Sequence, residues 1–184
     1  MRINKSLRAD QELLKRYLDV LGGGSVALSN SKLAQPDFFI SAHRFFQEYV
    51  DEGFFKKEDV LTKALQDSGF PTDEGPIEAM RSDQQKIRDA ARQMIAAANL
   101  WRVGDEVARS EAGWAVSEFT NAFREHLERL RNLIVPLIEQ AFSIDDEQRL
   151  GDELNKIFNS VAKGEQDKYI KQVEALEEEL SDWR

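Results

Sequence analysis

Along most of the chain, apolar residues recur every three or four positions, interrupted by a few clusters of glycine and proline. That period is helical. No run alternates apolar and polar residues in the manner of a strand. The breaks are Gly22-Gly23-Gly24-Ser25, which opens a polar stretch to Pro36, then Ser68-Gly69-Phe70-Pro71 leading to Gly75-Pro76, and a weaker one bracketed by Gly104 and Gly113. The pattern predicts helices over 6–21, 36–67, 75–101 and 112–142, and a tail, 145–182, of one or two helices broken at Gly164. Pro76 suits a first turn, where its missing N–H has no partner to lose. Pro136 is expected to kink or shorten the fourth helix. Short connections between four long helices imply an all-α fold, an antiparallel up-down-up-down four-helix bundle with additional C-terminal helices. The expected organisation is one domain over 1–184, with a core at 5–142 and a C-terminal extension at 145–182.

Each main helix carries a stripe on 3-4 spacing, the face that meets a bundle core. The stripes are Leu7, Gln11, Leu14, Leu18, Leu21; Val50, Phe54, Glu58, Leu61, Leu65; Ile77, Met80, Gln84, Ile87, Ala91, Met94, Ala98; and Val116, Phe119, Phe123, His126, Leu130, Leu133, Leu137. Each is apolar except at one place: Gln11, Glu58, Gln84 and His126. A buried polar group without a partner costs on the order of 2–7 kcal/mol. Four such groups are therefore expected to meet in one polar layer. That layer reads either as a metal or ligand site or as a network that sets helix register.

Composition narrows the chemistry. With no cysteine and two histidines, the 184-residue chain has no disulfide, thiol catalyst or site of three imidazoles. A net charge of −9 disfavours nucleic acid and anionic lipid as partners. No apolar run reaches the ~20 residues of a membrane span, and no signal peptide opens the sequence, so the expected location is cytoplasmic.

The stretch from Phe45 to Leu61 resembles the second-helix motif F-x-x-x-x-x-D-x-x-H-H-x-K-E-E-x-x-L of hemerythrin-like (HHE cation-binding) proteins. Gly69-Phe70-Pro71-Thr72-Asp73-Glu74-Gly75-Pro76-Ile77-Glu78-Ala79-Met80 is similar to the family's G-x-P-x-x-x-G-P-I-x-x-M. Asp83-Gln84 and Arg88 follow where the family has E-H-x-x-x-R, and His126-Leu127-Glu128-Arg129-Leu130 stands where it has H-I-x-K-E. Residues 7–21 resemble the first helix, with Asp10-Gln11 in place of E-H. The resemblance implies a di-iron centre in the family, with ligand positions falling here on Gln11, Phe54, Glu58, Gln84, His126 and Leu130; the histidine beside Phe54 becomes Phe55. Two of the six, Glu58 and His126, keep the family's residue. Phe54 and Leu130 cannot coordinate a metal, and glutamine is a weak donor. The chain thus reads as a degenerate member with no cofactor, no di-iron site and no oxygen carriage.

Three functions follow as expectations. The first is a metal-free protein that binds a small ligand or a protein partner, with Gln11, Phe54, Glu58, Gln84, His126 and Leu130 around the ligand. The second is an enzyme using the former metal cavity, with His126 as acid or base and Glu58 orienting it. The third is a mononuclear metal site built from Glu58, His126 and Asp10 or Asp83. His43 reads as core-edge packing. The phenylalanines, eleven in all, read as core filling or as the wall of an apolar pocket. In the tail, Ile170, Val173, Leu176 and Leu180 are expected to dock along the bundle or form a homodimer, with Trp183 exposed.

Overall fold

The computed structural model describes residues 2–162 and 166–183. Within them the chain forms six helices and no strand. They are α1 (Arg2–Asn30), α2 (36–67), α3 (Gly75–Arg102), α4 (106–141), α5 (Ile144–Ala162) and α6 (Gln166–Asp182). Two of them contain a stretch of wider π-helix: α2 runs as Pro36–Phe45, a π segment Phe46–Phe54 and Phe55–Asp67, and α4 as Glu106–Arg129, a π segment Leu130–Ile134 and Val135–Ala141. Side-chain bonds give the direction of neighbours. Asp10 meets Lys57 while Tyr17 meets Ala42, Glu58 meets Gln84 while Asp51 meets Arg88, and Ser25 meets Gly113 while Asp19 meets Arg124. Each pairing runs antiparallel, as expected of an all-α hemerythrin-like bundle. Gly164 lies outside the described residues.

The four long helices do not close on themselves evenly. α3 packs closely against α4 and against α2, and α4 packs against α1. The gap between α1 and α2 is filled by the C-terminal helices: α5 lies on α1 and on the second half of α2, and α6 on α1 and the first half of α2. Across that gap α1 and α2 are tied by long polar side chains, including Tyr17, whose buried hydroxyl donates to the carbonyl of Ala42 at 2.7 Å.

The glycine triplet does not end α1, which continues through it to Asn30. Gly23 and Gly24 permit close approach. A Cβ at Gly24 would lie 2.7 Å from the Phe38 ring, and one at Gly23 would lie 2.6 Å from a methyl of Leu180. Bare backbone at these positions lets α2 and α6 seat against α1. Gly113 has a similar role inside α4, where a Cβ would meet Leu28 at 3.3 Å. α4 therefore starts earlier than expected, at Glu106. Gly104, with φ of +105°, ends the α3 side of the turn, and the Asp105 side chain caps α4 by accepting from the amides of Val107 and Ala108.

The π segment in α4 corrects the end of its stripe. His126 and Leu130 face inward, but Leu133 is 40% exposed and Leu137 half-buried, while Ile134 and Ile138 are fully buried. A π turn takes one extra residue, which moves the inward face one position along. It also ends two residues before Pro136. A proline lacks the N–H for helical bonding and its ring crowds the carbonyl four residues back. The wider turn accommodates both, and the helix continues to Ala141.

Trp183, expected at the surface, is buried with its ring 4.7 Å from that of Phe38, and its carbonyl accepts from the Ser31 hydroxyl. Val173, Leu176 and Leu180 are buried as α6 docks along this chain's own bundle. No helix among the described residues is long and apolar enough to cross a membrane.

Replacing Gly24 by alanine should lower the urea midpoint, because the rigid Phe38 ring occupies the methyl's place. Gly22→Ala, whose Cβ meets only the end of Arg124 at 3.6 Å, should raise stability by up to about 1 kcal/mol through helix propensity. Equal effects of the two substitutions would contradict the close-approach role.

Candidate functional site

At mid-height of the bundle, three helices bring polar side chains together in an otherwise apolar core. Glu58 on α2 and His126 on α4 are each 0% exposed. His126 Nε2 lies 2.8 and 2.6 Å from the two Glu58 carboxylate oxygens, and Gln84 on α3 donates its amide to Glu58 Oε1 at 3.1 Å. The other ring nitrogen, Nδ1, lies 3.1 Å from Asp83 Oδ2, and the Arg129 guanidinium donates to that oxygen at 2.8 Å. The result is a continuous line, Gln84–Glu58–His126–Asp83–Arg129, from sealed core to half-buried edge. Its spacing follows from helix geometry: His126 and Arg129 are three apart and share a face of α4, and consecutive Asp83 and Gln84 reach the imidazole and the Glu58 carboxylate on its far side. The edges of Phe55 and Phe123 close around the ring, at 5.9 and 6.4 Å.

The electrostatics make His126 a cation. Burial alone would lower its pKa, but the Glu58 charge and the bonds to Asp83 and Glu58 outweigh that and push it from 6.5 up to about 9. Burial would raise the pKa of Asp83, yet the bonds from His126 and Arg129 hold it below the usual carboxylate value. At neutral pH the protonated ring therefore donates from both nitrogens to flanking carboxylates.

Of the four residues expected to form a polar layer, the structure joins three. Gln11 is half-buried and instead lines a surface groove of about 240 Å³ with Lys15, Leu18, Arg124 and Arg131. The buried polar residue of α1 is its neighbour Asp10, which accepts from the Tyr49 hydroxyl at 2.5 Å and from the Lys57 ammonium at 2.6 Å. The α1 stripe centres on Leu7, Asp10, Leu14, Tyr17 and Leu21, all buried. This alternative 3-4 indexing of α1 shares Leu7, Leu14 and Leu21 with the expected one, puts Asp10 in the place of Gln11, and adds Tyr17 beside Leu18, which is buried as expected. Arg129 and Lys57 had no apolar stripe to flag them; their signal is the presence of a carboxylate one helix away. Phe54 and Leu130 are packed into the core at 1% and 0% exposure. His43 is buried at the core edge near Phe46, and burial lowers its pKa.

The family described as hemerythrin HHE cation binding domain matches residues 2–138, about three quarters of the chain. The chain belongs to the hemerythrin HHE cation-binding family. Comparison with curated proteins and with solved structures found no match. In this hemerythrin-like protein the donor set does not fit a pair of metal ions. The one imidazole of the layer has both nitrogens committed to carboxylates, and apolar side chains stand at two of the positions that the family resemblance marks for ligands. Among the described residues, no group of three or more histidine, aspartate or glutamate side chains is arranged to hold a metal ion.

Two outcomes follow. Because His126 titrates at about 9 when folded against 6.5 ordinarily, its contribution is complete below pH 6.5 and drains away as the pH rises towards 9. The urea midpoint should fall across that window, and a His126→Gln variant should show a flatter profile; a wild-type midpoint constant from pH 6.5 to 9 would refute the imidazolium. His126→Leu leaves Glu58 charged and unpaired, so it should destabilise the fold by about 3–5 kcal/mol.

Proposed function

We propose that this protein is a metal-free member of its family that works by binding a small ligand or a protein partner, with the old ligand positions converted to a structural ion network. The observation that carries this reading is the closure of the centre. Glu58 and His126 have no exposed surface, and each atom that could coordinate or transfer a proton already has a protein partner. An acid–base enzyme would need a substrate to reach the His126–Glu58 pair. Phe54, Phe55, Phe123 and Leu130, all buried, occupy the surrounding core.

Recognition then belongs at the periphery. Of the six residues expected around a ligand, Gln11 faces a groove of mixed charge, where Lys15, Arg124 and Arg131 stand with Asp19 and Glu128 and Arg124 is paired with Asp19. The other five, Phe54, Glu58, Gln84, His126 and Leu130, act in this reading as the fixed frame behind it.

Elemental analysis of chain expressed with added iron should find far less than one iron per chain, and a chelator should leave the melting temperature unchanged. Two irons per chain would overturn the proposal.

A further inference from the structure

A second buried ion pair lies between α1 and α2, at the height of the Glu58 layer. Lys57 directly precedes Glu58, and Asp10 directly precedes Gln11. The Lys57 ammonium is 2.6 Å from Asp10 Oδ2, and both side chains are 5% exposed. The Tyr49 hydroxyl donates to the other carboxylate oxygen at 2.5 Å. Lysine is among the residues least often buried, because its compact ammonium is strongly hydrated. Here its four-carbon stem delivers the charge into the wall between two helices that otherwise touch sparsely.

The layer beside it is balanced in the same manner: Glu58 and Asp83 are opposed by the cations His126 and Arg129. Every carboxylate of this interior therefore has a cation carried by the chain itself. A buried carboxylate flanked by a phenolic oxygen is a hard oxygen site, of the type that holds ammonium or hard metal cations.

We propose that Asp10 and Tyr49 form a cation cradle whose permanent occupant is the Lys57 ammonium, a tethered cation in place of one taken from solution. The cradle belongs to the α1–α2 seam and does not depend on what the protein binds at its surface. Truncating the tether should therefore expose a working site for a free small cation. Lys57→Ala creates a cavity the length of the lysine stem, ending at a buried carboxylate, which an alkylammonium ion matches in charge and shape.

The experiment is chemical rescue read by thermal melting. Lys57→Ala should melt roughly 10 °C below the parent chain. Ethylammonium chloride should restore at least half of that loss, while sodium chloride at equal ionic strength restores little and the parent chain responds to neither. Asp10→Asn combined with Lys57→Ala should show no specific rescue. If Lys57→Ala does not fold alone, its refolding in ethylammonium chloride but not in sodium chloride supports the cradle, and failure in both overturns it. Lys57→Met melting like the parent chain, or equal rescue with and without the Asp10 carboxylate, would also overturn it.

Discussion

A carboxylate with no path to water must find its counter-charge inside the protein, and Glu58 sets that requirement at the centre of this bundle. The answer fixes three helices at once. α4 must present His126 at the height of Glu58, and α3 must present Gln84 to the carboxylate and Asp83 to the far side of the imidazole. A network of this type adds little net stability over well-packed apolar side chains. It penalises alternatives instead: sliding one helix by a turn leaves a bare charge in the core. The aromatic packing around it, with Phe46 and Phe123 each edge-on to Phe119 and Phe123 beside Phe55 and His126, is arranged about a height that the ions have already selected.

Much of this was legible in the residues. The 3-4 stripes located all four long helices, and the single polar residue in three of the stripes located Glu58, Gln84 and His126. The misreadings share a cause, which is that a one-dimensional pattern does not carry the third dimension of contact. Gln11 and Asp10 fit two indexings of α1 that share most of their leucines, and only the position of Lys57 on another helix decides between them. Leu133 and Leu137 continue a regular stripe that the π segment interrupts. The glycines at 22–24 read as a stop because glycine destabilises an isolated helix, whereas the proximity of Leu180 and Phe38 makes Gly23 and Gly24 a requirement. Trp183, near the described end of the chain, has local neighbours that are polar, and its burial depends on Phe38 far away in sequence.

The family match ends at residue 138, while the helices that seal the gap between α1 and α2 lie beyond it, at 144–162 and 166–182. Closure of the bundle in this chain thus uses a segment outside the matched region. The Asp10–Lys57 ion pair in that gap and the helices over it are complementary solutions to one problem: along much of their length α1 and α2 stand too far apart to be joined by short apolar side chains alone. Long polar side chains reach across the interior, and α5 and α6 cover the outside.

The two π segments give the bundle a property that no uniform helix pair would have. Each widens its helix beside the ion layer, one over Phe46–Phe54 just before Phe55–Glu58 and one over Leu130–Ile134 just after His126. The residues on either side of each wider turn share one inward face because the turn absorbs the added length. The middle of the bundle therefore behaves like a splice between two halves. Loss of one residue between Leu130 and Ile134 would return this stretch to an ordinary α-helix, with Ile134 and Ile138 three and seven positions after Leu130 and still facing inward. A π turn is thus a place inside a helix where the chain length can differ by a residue while the flanking faces stay on the core.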